Sequence, residues 1–147
     1  MNYSHDMAGF VYHDELGLVI AGDKWKWLEM AGNGSLKVES TVDGQSFREL
    51  KDLGEKLFGQ CLVTPADGNL LSLGGYVPTN HHSGGTWRYK VQDDRWDPFS
   101  HTARMDEQWH SRGCGMVTDP ITGIGLILRF FRGGIWLMVL VPRYLSI

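Results

Sequence analysis

The chain lacks the marks of several large classes of protein. Its 147 residues carry a net charge of −3 and show no basic stripe, a composition that does not favour a nucleic-acid partner. The first ten residues, MNYSHDMAGF, contain no apolar core region of the kind that secretory signals have. We therefore expect a cytoplasmic protein that does not bind nucleic acid.

A long uninterrupted hydrophobic run is also missing. Residues 124–141 are almost all apolar, but Arg129 and Arg132 interrupt them. A membrane span needs about 20 apolar residues, and each central Arg would cost about 2.5–3.5 kcal/mol on insertion. We interpret this segment as two strands, 126–131 and 135–141, and we expect no membrane association.

Cysteine is scarce, because Cys61 and Cys114 are the only two. Each begins a similar apolar segment, Cys61–Thr64 and Cys114–Thr118. At equivalent places in two related segments, we expect both to be buried small apolar residues rather than a disulfide pair.

What the sequence does contain favours an all-β fold of one domain by length. It has 19 Gly, six Trp and 12 per cent aromatic residues, a composition typical of short strands separated by tight turns. In residues 69–96, an apolar run ends in Gly74-Gly75, and a polar loop, 78–85, follows. Residues 86–91 then alternate between apolar and polar types, which predicts a half-buried strand.

This stretch resembles a kelch repeat. The family's signature is an apolar strand that ends in Gly-Gly, a loop, a Tyr, six residues and a Trp. Gly74, Gly75, Tyr89 and Trp96 occupy these positions here. The resemblance implies four-stranded antiparallel blades of a β-propeller, and it implies that Tyr89 and Trp96 pack between blades.

One repeat cannot bury its own hydrophobic face, so a repeat must recur. Gly17–Gly22 matches Asn69–Gly74 at an offset of 52 residues, and a third copy starts at Cys114. The approximate repeats are 8–47, 60–97 and 113–141. Propellers close with four to eight blades. We therefore predict a single incomplete kelch-type propeller domain, which is a fragment, a truncated product or one piece of an oligomer, and whose unpaired blades allow self-association.

Residues 47–58 are ambiguous. Apolar residues recur there at spacings of three and four, which is helical, whereas the repeat pattern places a connection between blades. We prefer an irregular connection that could include a short helical turn.

The predicted function is a non-catalytic protein–protein interaction module of the scaffold or adaptor type. Kelch propellers usually present their loops to a protein partner, and binding residues concentrate on loops of rigid scaffolds. We predict contact residues in the loops 77–85 and 25–35 and at the adjoining strand, namely His81, His82, Arg88 and Trp27.

Two alternatives remain open. The first is a propeller-fold enzyme, such as a copper oxidase or a hydrolase. The sequence has no Gly-x-Ser-x-Gly motif and no metal-like ligand spacing, and the copper ligands of galactose oxidase, which shares the kelch fold, do not map onto it. We therefore predict no catalytic residue, metal or cofactor. The second alternative is a truncated product with no independent function.

Overall fold

The computed structural model describes residues 8–22, 36–56, 60–77, 82–83, 85–99, 114–131 and 134–140. These residues form thirteen strands and one turn of 3-10 helix, Val91–Asp93. The strands are β1 (Gly9–His13), β2 (Gly17–Ala21), β3 (Val38–Thr41), β4 (Arg48–Glu49), β5 (Cys61–Val63), β6 (Leu70–Leu73), β7 (Tyr76–Val77), β8 (His82–Ser83), β9 (Trp87–Lys90), β10 (Arg95–Pro98), β11 (Cys114–Thr118), β12 (Gly125–Phe131) and β13 (Gly134–Leu140).

The strands form three main antiparallel sheets. Sheet 1 has the order β1-β2-β3-β4, sheet 2 the order β5-β6-β9-β10, and sheet 3 the order β11-β12-β13. Strands β7 and β8 pair only with each other, as a ribbon inserted between β6 and β9. The predicted all-β fold with four-stranded antiparallel sheets is thus confirmed, and sheet 3 has three strands among the described residues.

The glycine doublet ends β6 because the chain turns there in a way that a side chain disfavours. Gly74 has φ 62° and Gly75 has φ 91°, both in the left-handed region. The turn between β9 and β10 places Asp94 at φ 46°, also in the left-handed region.

Sheets 1 and 2 pack face to face around the larger apolar cluster. Side chains alternate between the two faces of a strand, so each sheet has an upstream face, toward the preceding sheet, and a downstream face, toward the following one. The downstream face of sheet 1 contributes Leu16, Val19, Ala21 and Val38; Leu50 and Leu53 join from the connection after β4; and the upstream face of sheet 2 contributes Leu62, Leu70, Tyr89 and Trp96.

Sheets 2 and 3 pack around a smaller cluster. The downstream face of sheet 2 contributes Cys61, Val63, Leu71 and Leu73, and the upstream face of sheet 3 contributes Ile127, with Met116 packed against it. Because sheet 2 is covered on both faces, all four residues of β6 are buried.

The expectation that Cys61 and Cys114 are unpaired was wrong, because they form a disulfide. Cys61 points downstream from β5 with Val63, whereas Cys114 points upstream from β11 with Met116. A shift of one residue along a strand reverses the face on which a side chain lies. The two residues are therefore offset by one position in their sheets, which brings their sulfur atoms together.

The first strands of the three sheets are neighbours, and β1 and β5 run in the same direction. Strand β1 contacts β5, and β5 contacts β11. The His13 Nε2 atom donates a 2.7 Å hydrogen bond to the carbonyl of Gly68, while at the other end a Cβ on Gly9 would lie 2.9 Å from the Gln60 carbonyl oxygen. The stack therefore has two distinct ends.

The segment 47–58, preferred as irregular from the sequence, contains the short strand β4 and then an irregular stretch, while residues 57 and 58 lie outside the described residues. Residues 50–53 continue alongside β3 through hydrogen bonds from Leu50 N to Val38 O and from Leu53 N to Leu36 O, and residues 50–56 contain no helix. The two strands predicted within the apolar segment 124–141 are also confirmed, as β12 and β13. Among the described residues, no helix is long and apolar enough to cross a membrane.

Candidate functional site

The two ends of the stack differ in the length of their connections. At one end, which we call the turn end, the strands are joined by three to six residues, as in residues 14–16 and 91–94. At the other end, the loop end, the connections include residues 22–37, 74–86 and 99–113, although β12 and β13 are joined there by residues 132–133 alone. Long connections on a rigid sheet scaffold are where binding residues concentrate, so the loop end is the candidate site.

The predicted contact residues do not all lie at this end. Trp27 and His81 fall outside the described residues, although the connections that carry them both leave from the loop end. His82 lies in β8, where it pairs in register with Val77. The segment predicted as a plain loop, 78–85, therefore includes one strand of a two-stranded ribbon, and this ribbon stands outside the sheet of β5, β6, β9 and β10.

Arg88 does not belong to the loop-end surface. Its guanidinium Nη2 lies 2.8 Å from Asp67 Oδ2, and the two side chains are only 11 and 18 per cent exposed. Asp67 is part of the turn between β5 and β6, at the turn end. A buried ion pair that loses one partner leaves an uncompensated charge, so this arrangement favours a structural role, and we remove Arg88 from the predicted contact set.

Glu55 holds the base of the β7–β8 excursion. Its Oε1 atom accepts a 2.6 Å hydrogen bond from Gly85 N and a 2.9 Å bond from Trp87 Nε1. The Trp87 ring lies so close to Gly54 that a Cβ there would collide with it. The connection between sheets 1 and 2 thus fixes the point where the excursion returns to β9.

Tyr89 and Trp96 are neighbours across β9 and β10, with ring centroids 5.1 Å apart. Both are buried in the cluster between sheets 1 and 2. The Tyr89 hydroxyl donates a 2.6 Å hydrogen bond to Asp94 Oδ1, which also accepts from Lys51 N. This placement puts the motif aromatic pair inside the stack rather than on the loop end.

Burial, with the hydrogen bond to Asp94, raises the pKa of Tyr89 far above its usual value. The same hydrogen bond lowers the pKa of Asp94. The phenol therefore stays protonated and the carboxylate stays charged across the physiological range. A phenol held in this state is suited to fixing the turn and not to accepting a proton.

Carboxylates at the turn end serve the turns themselves. Asp43 accepts hydrogen bonds from Ser46 N, Gln45 N and the Thr41 hydroxyl, and these bonds lower the pKa of Asp43 to about 2. The pKa of Asp119 is lowered in the same way, chiefly by the Thr122 hydroxyl. Within the described part of the chain, no group of three or more His, Cys, Asp or Glu residues could hold a metal ion.

Sequence reasoning missed most of the polar groups that hold the connections against the sheets. The roles of Glu55, Gln60 and Asp94 depend on partners 30 or more residues away or on burial, and no local motif signals them. Gly54 carried a signal, since a glycine in an otherwise regular pattern can mark a close approach.

Comparisons with known proteins bear on the fold. No protein-family model matches the chain, and no curated protein matches it. The chain is similar to a solved structure described as a novel fungal alcohol oxidase of the AA5 family, in complex with copper, with 12 per cent identity and a TM-score of 0.53. The match covers 93 per cent of this chain and 30 per cent of that one, and at this identity it indicates the fold alone.

Proposed function

We propose that the chain is a segment of a kelch-type β-propeller that acts as a non-catalytic protein–protein interaction module. Each main sheet corresponds to one blade: each is antiparallel, sheets 1 and 2 pack their downstream faces on the sheet that follows, and the first strands are neighbours. Gly74, Gly75, Tyr89 and Trp96 hold the positions of the kelch signature in sheet 2.

The excursion at residues 74–86 is the observation that carries the binding proposal. A direct turn between β6 and β9 would complete the sheet with a few residues, yet the chain makes a separate ribbon there. Glu55 anchors its return through Gly85 and Trp87. An anchored protrusion presents side chains with less ordering cost than a free loop. His81, His82 and Trp27 are the contact residues that we propose at this end.

Capture of partners with the immobilised chain tests the proposal. We expect alanine variants of Trp27, His81 and His82 to lose the partner. Gln45→Ala and Gln92→Ala, both exposed at the turn end, are matched controls that should retain it. Unchanged capture by all three loop-end variants would show that the contact surface lies elsewhere.

A copper oxidase or hydrolase remains the alternative. The copper in the similar solved structure belongs to that protein, and no specific arrangement of the described residues favours this chemistry here. Metal analysis of the purified chain distinguishes the two, because stoichiometric copper would favour the oxidase. A soluble folded product would argue against a truncated chain without function.

The disulfide changes the expected compartment. Disulfides persist in oxidising environments and are rare in the cytosol. Cys61 is 1 per cent exposed and its bond closes a separation of 53 residues. We therefore propose an oxidising compartment in place of the cytoplasm. Cell fractionation with thiol labelling tests this. Reduced cysteines in freshly lysed cells would instead favour the cytosol as the compartment.

A further inference from the structure

The downstream face of sheet 3 is an exposed apolar surface. Its side chains are neighbours across β11, β12 and β13, since Val117 pairs with Leu126, Leu126 with Val139, and Leu128 with Leu137. Val117 is 68 per cent exposed and Leu137 is 60 per cent exposed. Adjacent apolar side chains on one sheet face mark an interaction surface.

The same positions in sheet 2 are buried by a following sheet. The β11–β12 hairpin of sheet 3 can be superposed on the β5–β6 hairpin of sheet 2 so that their downstream faces coincide. Val117, Leu126 and Leu128 then occupy the positions of Val63, Leu71 and Leu73. The sheet 2 residues are no more than 1 per cent exposed, because sheet 3 covers them. The downstream face of sheet 3 therefore has apolar residues at the positions that, in sheet 2, are buried by the following sheet.

The upstream face of sheet 1 shows the opposite half of the same interface. Phe10 and Leu18 stand 52 residues before Leu62 and Leu70, which are buried against sheet 1. Phe10 is 71 per cent exposed, and Tyr12 beside it is 66 per cent exposed. On the same face, Glu39 and Thr41 of β3 are already buried, at 0 and 6 per cent exposed, so the open apolar part of the face lies at β1 and β2. That part carries the positions that cover a downstream face within the chain.

We propose that a second copy of this chain covers both faces, with sheet 3 of each copy packed on sheet 1 of the other. The contact repeats the step that already relates sheets 1, 2 and 3, with first strands adjacent. Two copies of three sheets then close as a ring of six, within the four to eight that propellers use. This inference rests on the propeller architecture proposed above and not on the binding function.

Two other pairings of copies fit the exposed residues less well. Packing sheet 3 on sheet 3 would leave Phe10, Tyr12 and Leu18 in water. Pairing the open edge of β13 with its counterpart would leave both apolar faces uncovered. Of these three pairings, only the head-to-tail arrangement covers both faces. A head-to-tail contact closes into a ring when its rotation completes a turn and otherwise builds a filament, and six steps are within the range in which propellers close.

Light scattering coupled to size-exclusion chromatography tests the ring. We expect the full chain at micromolar concentration to have about twice the 16.6 kDa mass of one copy. The proposed dimer has two equivalent contacts, each between sheet 1 of one copy and sheet 3 of the other. Tyr12→Arg places a charge on the sheet 1 side of both contacts, and Leu128→Arg places one on the sheet 3 side of both. Each variant should therefore be a monomer with half the mass of the dimer. Ile121→Arg, at a turn residue that is 92 per cent exposed, is the matched control and should remain a dimer.

Mixing the two variants provides the sharper measurement. Sheet 3 of the Tyr12→Arg copy and sheet 1 of the Leu128→Arg copy are both intact, so the mixture should regain one contact and show a dimer that neither variant forms alone. Circular dichroism confirms that each variant is folded, and Leu137→Arg replaces Leu128→Arg if the latter is not.

Three results would overturn the proposal. A monomeric full chain would mean that the faces do not pair between copies. A dimer that persists in Tyr12→Arg would indicate contact of sheet 3 with itself or of β13 edges. Large assemblies in place of a defined dimer would show that the contact does not close. None of these results depends on whether the loop end captures a partner, so the two proposals fail separately.

Discussion

The two interfaces inside the stack are held together differently. Sheets 1 and 2 share a cluster with two aromatic rings and several polar contacts between distant residues. Gln60 Nε2 donates to the Ala21 carbonyl at 2.7 Å, and Trp96 Nε1 donates to the Lys51 carbonyl at 3.0 Å. Each of these hydrogen bonds forms only when its donor and acceptor are correctly placed, so together they fix the position of sheet 1 relative to sheet 2.

Sheets 2 and 3 share a smaller cluster of aliphatic residues and a covalent bond, Cys61–Cys114. Aliphatic packing is not directional, so it specifies position less strongly than a set of hydrogen bonds does. The disulfide adds what the apolar contact lacks, because it fixes β5 and β11 at one point. The comparison indicates that sheet 3 depends on oxidation, whereas sheets 1 and 2 do not.

Trp96→Ala should break the first interface most severely. The ring is 7 per cent exposed in the cluster, and its removal leaves a cavity and an unpaired Lys51 carbonyl. We expect a loss of about 3–5 kcal/mol in the free energy of unfolding. Urea or thermal unfolding measures it, with Trp96→Phe as the control that keeps most of the volume. An unchanged midpoint would place the ring outside the core.

Replacing both cysteines by alanine should weaken the second interface. We expect a loss of about 2–4 kcal/mol, as for a disulfide that closes a long loop. The sharper expectation is its location: hydrogen exchange should quicken in β11 to β13 while β2, β3 and β6 keep their protection. Equal loss of protection in all three sheets would contradict the division between the interfaces.

Gln60→Met tests one polar contact of the first interface at nearly constant volume. The variant leaves the Ala21 carbonyl without its donor in a buried place, but it also removes the buried Gln60 Oε1 atom, which has no hydrogen-bond partner among the described residues, so we expect a net cost of about 1–2 kcal/mol. Gln45→Met, on an exposed turn, should change stability by less than about 0.5 kcal/mol. Equal effects of the two substitutions would mean that the buried hydrogen bond adds no specificity.

Tyr89→Phe should give the smallest effect at neutral pH, about 0.5–1.5 kcal/mol, through loss of the hydrogen bond to Asp94. The lowered pKa of Asp94 supplies stability above the usual carboxyl value of about 4 that is lost as pH falls. The raised pKa of Tyr89 supplies stability below about pH 10 that is lost as pH rises.

Urea unfolding at several pH values measures the loss of stability at acid pH and the loss at alkaline pH. The Tyr89→Phe variant should lose less stability than the parent at acid and at alkaline pH. Gln92→Ala, at an exposed position in the same turn, is the control and should follow the parent curve. If the free energy of unfolding changed with pH in parallel for the parent and Tyr89→Phe, the phenol and Asp94 would not be coupled.

Much of the sheet structure was predictable because it follows from local patterns. The alternating run near Trp87 became β9, the Gly74-Gly75 doublet took left-handed conformations, and the interrupted apolar segment became β12 and β13. The 52-residue offset also predicted that hairpins recur. These features depend on neighbours in the chain, which the sequence displays directly.

The missed features depend on register between sheets. Cys61 and Cys114 look equivalent in sequence, yet one residue of offset turns them toward each other. Arg88 looked like a surface residue because its partner, Asp67, lies on a turn 21 residues earlier. The β7–β8 ribbon consists of pairs too short to show a period. At the loop end, the positions of Trp27 and His81 lie outside the described residues.

The stacking order is tested most directly by peptide mapping of the purified, non-reduced chain. Sheets 2 and 3 packed face to face, with Cys61 pointing downstream and Cys114 pointing upstream, should yield one peptide pair that links these residues within a single copy, and no free thiol. Two thiols that stay free in the folded protein under oxidising conditions, or a bond between copies, would contradict the stack.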